Sequence, residues 1–117
     1  MITIILNHHP YDGSDVTWNA LRLASTLHEN GEEVNIFLMN DAVDLARDKM
    51  SKPESYDHDL VSMLKNMYEA GVSLQVCGTC NARCGLFKNE PYFDESISST
   101  MQVLSDWVSQ SKQVLTF

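Results

Sequence analysis

Ile2-Thr-Ile-Ile-Leu6, running directly into Asn7-His-His-Pro-Tyr-Asp-Gly-Ser14, is the stretch that decides the fold. A strand with one solvated face alternates apolar and polar residues. A nearly unbroken β-branched and apolar run instead predicts a strand covered on both faces, as in a parallel sheet. The polar stretch after it reads as a loop. Ser14 or Asp15 can then cap a helix whose apolar positions Val16, Ala20, Leu23, Ala24 and Leu27 recur at helical spacing. Asn30-Gly31 closes that helix with residues tolerant of left-handed geometry.

The same alternation continues outward. Val34 to Met39 predicts a second strand, and Asn40 caps a short helix holding Ala42, Val43, Leu45 and Ala46. Lys49 to Tyr56 has turn formers and charges without apolar periodicity, so it predicts a loop, with Asp57 opening a helix that reaches Ala70 and stops at Gly71. Val72 to Val76 predicts a third strand, which Cys77-Gly-Thr-Cys-Asn-Ala-Arg-Cys-Gly85 interrupts. Leu86 to Glu95 has no clear period, and its aromatics Phe87, Tyr92 and Phe93 fit either a short strand or a cover over the core. Ser98 or Ser99 caps a last helix with Met101, Leu104, Trp107 and Val108 inward, before a final strand at Gln113 to Phe117. Parallel strands need helical crossovers, and crossovers on both faces give an α/β/α sandwich. Residues 1–117 form one domain in this reading, and strand order is not legible.

Composition narrows the function classes. A chain of 117 residues with 44% hydrophobic and 21% charged residues has the balance of an ordinary globular protein and room for one site. Its formal net charge of −8 repels phosphate backbones and anionic membrane surfaces, which argues against nucleic-acid and membrane partners. No leader pattern and no apolar run of transmembrane length is legible, so a cytoplasmic location is expected. Three cysteines packed within Cys77 to Cys84 fit thiol or metal chemistry in a reducing compartment better than a secreted disulfide framework.

In open α/β sheets, sites gather at the carboxyl ends of strands, where the loops converge. Here those loops are His8 to Asp12, Asn40 to Asp41 and Cys77 to Gly85. A thiol is nucleophilic only as thiolate, a form favoured by turn N–H groups and nearby cations. Cys77 follows a strand, precedes a Gly-Thr turn and has Arg83 six residues on, so it is the candidate reactive thiol, with Cys80 and Arg83 beside it. The alternatives are a buried space-filling cysteine, a dithiol pair of Cys77 and Cys80, and a metal site of Cys77, Cys80 and Cys84 completed by His8 or His9. His8 and His9 can take a thiol proton or hold a thiolate, and Tyr11 can roof the pocket or cap the core.

Asn7 with Pro10-Tyr11 and Gly13-Ser14, Asn19-Ala-Leu-Arg-Leu-Ala24, Ile36-Phe-Leu-Met39, Asp41-Ala-Val43, Cys77-Gly-Thr-Cys80, Arg83 and Val114-Leu-Thr-Phe117 together resemble YchN-like members of the DsrE/DsrF family. The resemblance spans nearly the whole chain. It implies a mostly parallel sheet of five strands, assembly into homotrimers or homohexamers and, as in sulfur-relay members, a cysteine at the position of Cys77 that carries sulfur as a persulfide. His8-His9 and Cys84 depart from the family pattern. The resulting expectation is a cytoplasmic sulfur-handling protein that takes no cofactor and exchanges sulfur with donor and acceptor proteins. Its alternative is a non-catalytic oligomeric binding protein whose cysteine loop holds a metal or small ligand.

Overall fold

The computed structural model describes residues 1–78 and 91–117. The expectations placed on Cys80, Arg83, Cys84 and Phe87 lie outside the described residues. Five strands form one parallel sheet: β1 (Ile2–Leu6), β2 (Val34–Leu38), β3 (Ser73–Cys77), β4 (Ser98–Ser99) and β5 (Gln113–Thr116), in the order β4-β3-β2-β1-β5. The α/β/α architecture expected from the alternation is therefore present. β1, β2 and β3 lie side by side in chain order, and the chain then returns through α3 (Met101–Gln110) to add β5 on the far side of β1. Right-handed crossovers in opposite directions put helices on opposite faces.

Register assigns each residue to a face. Thr3 pairs with Asn35, Ile5 with Phe37 and Phe37 with Gln75, so these share one face. The ring of Trp107 on α3 meets Phe37 edge-on at 6.1 Å, which identifies that face as the α3 side. Ile2, Ile4, Leu6, Val34, Ile36, Leu38, Leu74 and Val76 point the other way, under α1 (Val16–Glu29) and α2 (Leu60–Glu69), and all eight are buried. On α1, Ala20 and Ala24 are fully buried beside Leu21, because a helix with small residues facing the sheet can approach it closely. On α2, Leu60, Val61, Leu64 and Met67 form the inward stripe.

Several local expectations are corrected. Asn40 does not cap: Met39 precedes a 3-10 segment at Asn40–Ala46, and Asn40 itself sits at φ +53° with its side chain bonded to Asn7. α2 starts later than expected, because Asp59 rather than Asp57 accepts the Ser62 N–H. Ser98 and Ser99 are not caps either; they form β4, and Thr100 caps α3 through the Val103 N–H. Neither Ser14 nor Asp15 caps α1 strongly: Asp15 makes no side-chain cap bond, and the Ser14 hydroxyl lies 3.4 Å from the Val16 N–H. Gly31 and Gly71, at φ +87° and +104°, end their helices as expected. Helical periodicity over-assigned inward positions, since Val16, Leu23, Met101 and Val108 are exposed. Among the described residues, no helix is long and apolar enough to cross a membrane.

Candidate functional site

Cys77 is the last residue of β3, at the carboxyl edge of the sheet, and it is buried, with 6% of the residue exposed. Gly78 follows because the chain there runs against β4. A Cβ at Gly78 would meet the Ser99 carbonyl oxygen at 3.0 Å and the Ser98 hydroxyl at 3.1 Å, and the Gly78 N–H donates to that same Ser99 oxygen at 3.0 Å. Glycine is thus fixed by close approach to the neighbouring strand.

The carbonyl of Cys77 accepts a 2.9 Å hydrogen bond from the buried Tyr92 hydroxyl. Tyr92 is held in turn by Arg47, whose guanidinium carbon lies 5.2 Å from the ring centroid. The two residues also form an antiparallel bridge, flanked by Asp48 N–H to Pro91 O at 2.9 Å and Phe93 N–H to Ala46 O at 2.8 Å. The Arg47 Nε donates to Asp44 Oδ1 at 3.1 Å, and both side chains are nearly inaccessible, at 6% and 5%. A buried charge pair is stable only with its partners in place. Asp44 Oδ2 then faces His9 Nε2 at 3.9 Å. The His9 Nδ1 accepts the Tyr11 N–H at 3.1 Å, so a neutral imidazole carries its proton on Nε2, toward Asp44. At 3.9 Å that approach is an ion-pair distance for a protonated ring and too long for a hydrogen bond.

The structure thus brings His9 to the end of a chain of contacts, His9 to Asp44 to Arg47 to Tyr92 to the Cys77 backbone, and leaves His8 exposed. Tyr11 belongs to a different contact set. Its ring meets Tyr56 edge-on at 4.9 Å, and the Tyr56 hydroxyl accepts the Gly13 N–H. Burial raises the Tyr11 pKa, with the amides of Val61 and Leu60 opposing, yet its hydroxyl has no partner in hydrogen-bond geometry among the described residues. Asp12 is held ionised below its ordinary pKa by the Ser14 hydroxyl and amide, at 2.7 and 2.9 Å, with a smaller contribution from His8. These bonds brace the first loop against the segment before α2. They do not place Tyr11 over Cys77.

Sequence reasoning missed Asp44, Arg47, Tyr92 and Ser99. A legible sign was present for the first two: an aspartate and an arginine three residues apart straddle the apolar Ala42-Val43 and Leu45-Ala46. A 3-10 or helical turn through such a run must bury both charges together. Among the described residues, no group of three His, Cys, Asp or Glu side chains gathers at metal-binding distance. A cavity of about 370 Å³ between α1 and α2, lined by His28, Glu29, Met63 and Asn66 among others, lies by the carboxyl ends of those helices. It therefore opens at the opposite end of the sheet from Cys77.

An uncharacterised protein of Methanopyrus kandleri is 36% identical over 118 residues, covering 100% of this chain and 93% of its own length. An uncharacterised protein of Methanocaldococcus jannaschii is 36% identical over 115 residues, covering 98% and 97%. The crystal structure of the ychN protein from E. coli superposes with a TM-score of 0.82 at 32% identity, covering 99% of this chain and 97% of that one. The family model of the DsrE/DsrF-like family matches residues 1–117, and with a five-stranded sheet that superposes on a solved YchN structure, the chain belongs to that family.

Proposed function

We propose that the protein accepts sulfane sulfur on Cys77 as a persulfide and passes it to an acceptor. Membership of the DsrE/DsrF-like family suggests a role related to sulfur relay. The observation that carries the finer reading is the placement of Cys77: a cysteine at the carboxyl end of β3, with its peptide clamped by Tyr92 and a buried charge pair behind it. Such a clamp fixes the origin of the side chain at the end of the strand. The thiol is sheltered, so small persulfides should react faster than bulky reagents.

The transfer balances without an external oxidant. The Cys77 thiolate attacks the outer sulfur of a donor persulfide, an S–S bond forms at Cys77, and the donor's own S–S bond breaks. Its electron pair leaves on the donor sulfur, which takes the proton of the outer sulfur and departs as a thiol. Donor and acceptor proteins, a cytoplasmic setting and assembly into a homotrimer or homohexamer are parts of the same proposal. The test is intact mass after incubation with an inorganic polysulfide. A gain of one sulfur that reductant removes and that is absent in Cys77→Ser supports the reading. No gain in the parent, or an equal gain in Cys77→Ser, overturns the assignment to Cys77. If the parent gains no sulfur and purified protein instead carries metal that Cys80→Ser or Cys84→Ser releases, the cysteine loop is a metal site.

A further inference from the structure

Ser99 is the register partner of Cys77 across the β3–β4 ladder. Partners in a parallel ladder project to the same face, about 5 Å apart, so the Ser99 hydroxyl stands beside Cys77 on the α3 side of the sheet. Its backbone is fixed there by the Gly78 N–H bond to its carbonyl. Its Oγ is buried and has no hydrogen-bond partner among the described residues. A buried hydroxyl without a partner is costly and rare enough in folded proteins to require an explanation. A rotating hydroxyl can both donate and accept, and it is small enough to leave room for a second atom.

We infer that the Ser99 hydroxyl is the hydrogen-bond donor for the outer sulfur of a persulfide on Cys77. The inference rests on the reading of Cys77 as a sulfur carrier. Before loading, the Ser99 hydroxyl has no hydrogen-bond partner among the described residues. A second sulfur extends the Cys77 side chain by one S–S bond, about 2 Å, which brings an atom across the roughly 5 Å between adjacent strands to hydrogen-bond reach of the hydroxyl. In the exchange, the thiolate of Cys77 and a donor persulfide, R–S–SH, become Cys77–S–S⁻ and R–SH. One S–S bond forms, one breaks, and the negative charge moves to the outer sulfur. That atom is a charged acceptor, and a hydroxyl donor stabilises it more than it stabilises a neutral thiol. The β4 strand, only two residues long, thereby gains a role beyond closing the sheet: it delivers one hydroxyl to the end of β3.

Ser99→Ala separates this role from a structural one, because the hydroxyl it removes makes no hydrogen bond among the described residues. Parent, Ser99→Ala and Ser99→Thr are equilibrated with graded ratios of inorganic polysulfide to free thiol, and the loaded fraction is read by intact mass, with thermal unfolding measured alongside. The expected result is a midpoint of unfolding in Ser99→Ala no lower than in the parent, loading weakened on the order of tenfold, and recovery in Ser99→Thr. Equal loading of parent and Ser99→Ala overturns the role of Ser99 while leaving the persulfide on Cys77 standing. A lowered midpoint in Ser99→Ala with unchanged loading also overturns it, since the hydroxyl then serves the fold. A parent that takes up no sulfur overturns the persulfide reading itself, and this inference with it.

Discussion

The two faces of the sheet are built differently. Under α1, α2 and the 3-10 segment, every β1–β3 side chain on that face is buried, and the helices meet it with alanines, leucines and a valine. Among the described residues, α3 alone lies over the other face, with Leu104 as its single buried residue and Trp107 partly covered. Beneath it the sheet presents the polar Thr3 and Asn35, whose side chains meet at 3.4 Å, and Thr3 reaches the Ser111 hydroxyl at 2.7 Å at the end of α3. Gln75 is partly open, and Val114 and Thr116, which pair with Thr3 and Ile5 on this face, are exposed. The first face holds the chain together. The second carries Cys77, Ser99 and apolar surface that the described residues do not cover.

That contrast makes mutational costs unequal, and the largest lie where charge is buried on the covered side. Arg47→Met should cost about 3–5 kcal/mol, since it removes the arginine from a buried charge pair and the cation above Tyr92. Leu64→Ala on α2 should cost about 2–5 kcal/mol through the cavity it leaves. Urea unfolding of both variants checks this. A loss below 1 kcal/mol, on the order of an exposed ion pair, would show that the Asp44–Arg47 pair is not part of the fold's foundation.

Tyr92→Phe is milder and more informative about the site. It removes one hydroxyl and leaves the Cys77 carbonyl short of a donor, for an expected loss of about 1–2 kcal/mol. The ring stays under Arg47, so the fold should persist while the sulfur of Cys77 loses its fixed origin. Polysulfide loading should slow relative to the parent, and unchanged loading at reduced stability would confine Tyr92 to a structural part.

The same contrast explains what the sequence disclosed. Ile2 to Leu6 and Val34 to Leu38 advertise burial on both faces, and hydrophobic runs depend only on nearest structure, so the parallel sheet was legible. The place of Cys77 at the carboxyl end of β3 was legible as well, because the apolar run before it predicts a strand that stops there. Asp44–Arg47 and Tyr92 were harder to find, since nothing local says that residue 92 returns to residue 47. That is a long-range pairing. Ser99 was read as a helix cap, because serine before a helix has that chemistry, and only the ladder with β3 moves the cap to Thr100. Met101 and Val108 follow helical period faithfully yet lie outward, since period identifies a stripe without saying whether the same chain covers it.

Helix caps give a smaller effect that depends on pH. Asp59 accepts the Ser62 N–H at 3.1 Å and the Ser62 hydroxyl at 2.9 Å, and these bonds hold its pKa below the ordinary value. A carboxylate with a depressed folded pKa contributes stability that is present above its unfolded pKa, about 3.9, and is lost as pH falls through the folded one. Asp59→Ala should therefore lower stability by about 1 kcal/mol at pH 7. The difference from the parent should shrink on acidification below about pH 4. A gap that stays constant down to pH 2 would mean that the cap does not depend on the charge.

The smallest cost to the chain itself is expected on the thin face. Met101 is 59% exposed and Val108 41%, both on α3, and Val114 on β5 adds another exposed apolar side chain. Within one chain, Met101→Ser with Val108→Ser removes little buried area, so the intrinsic change should stay within about 0.5 kcal/mol. Their effect should fall on assembly. An oligomer of this acidic chain must gain its contact energy from apolar surface, because the net charge of −8 opposes association at low salt. The proposed homotrimer or homohexamer accordingly uses α3, and light scattering at moderate salt should give a multiple of 13.2 kDa for the parent and a lower mass for the double variant. If the parent has the monomer mass, assembly itself fails as a proposal. If parent and variant share one larger mass, assembly stands but its contact lies elsewhere, and the exposed side of α3 has another explanation.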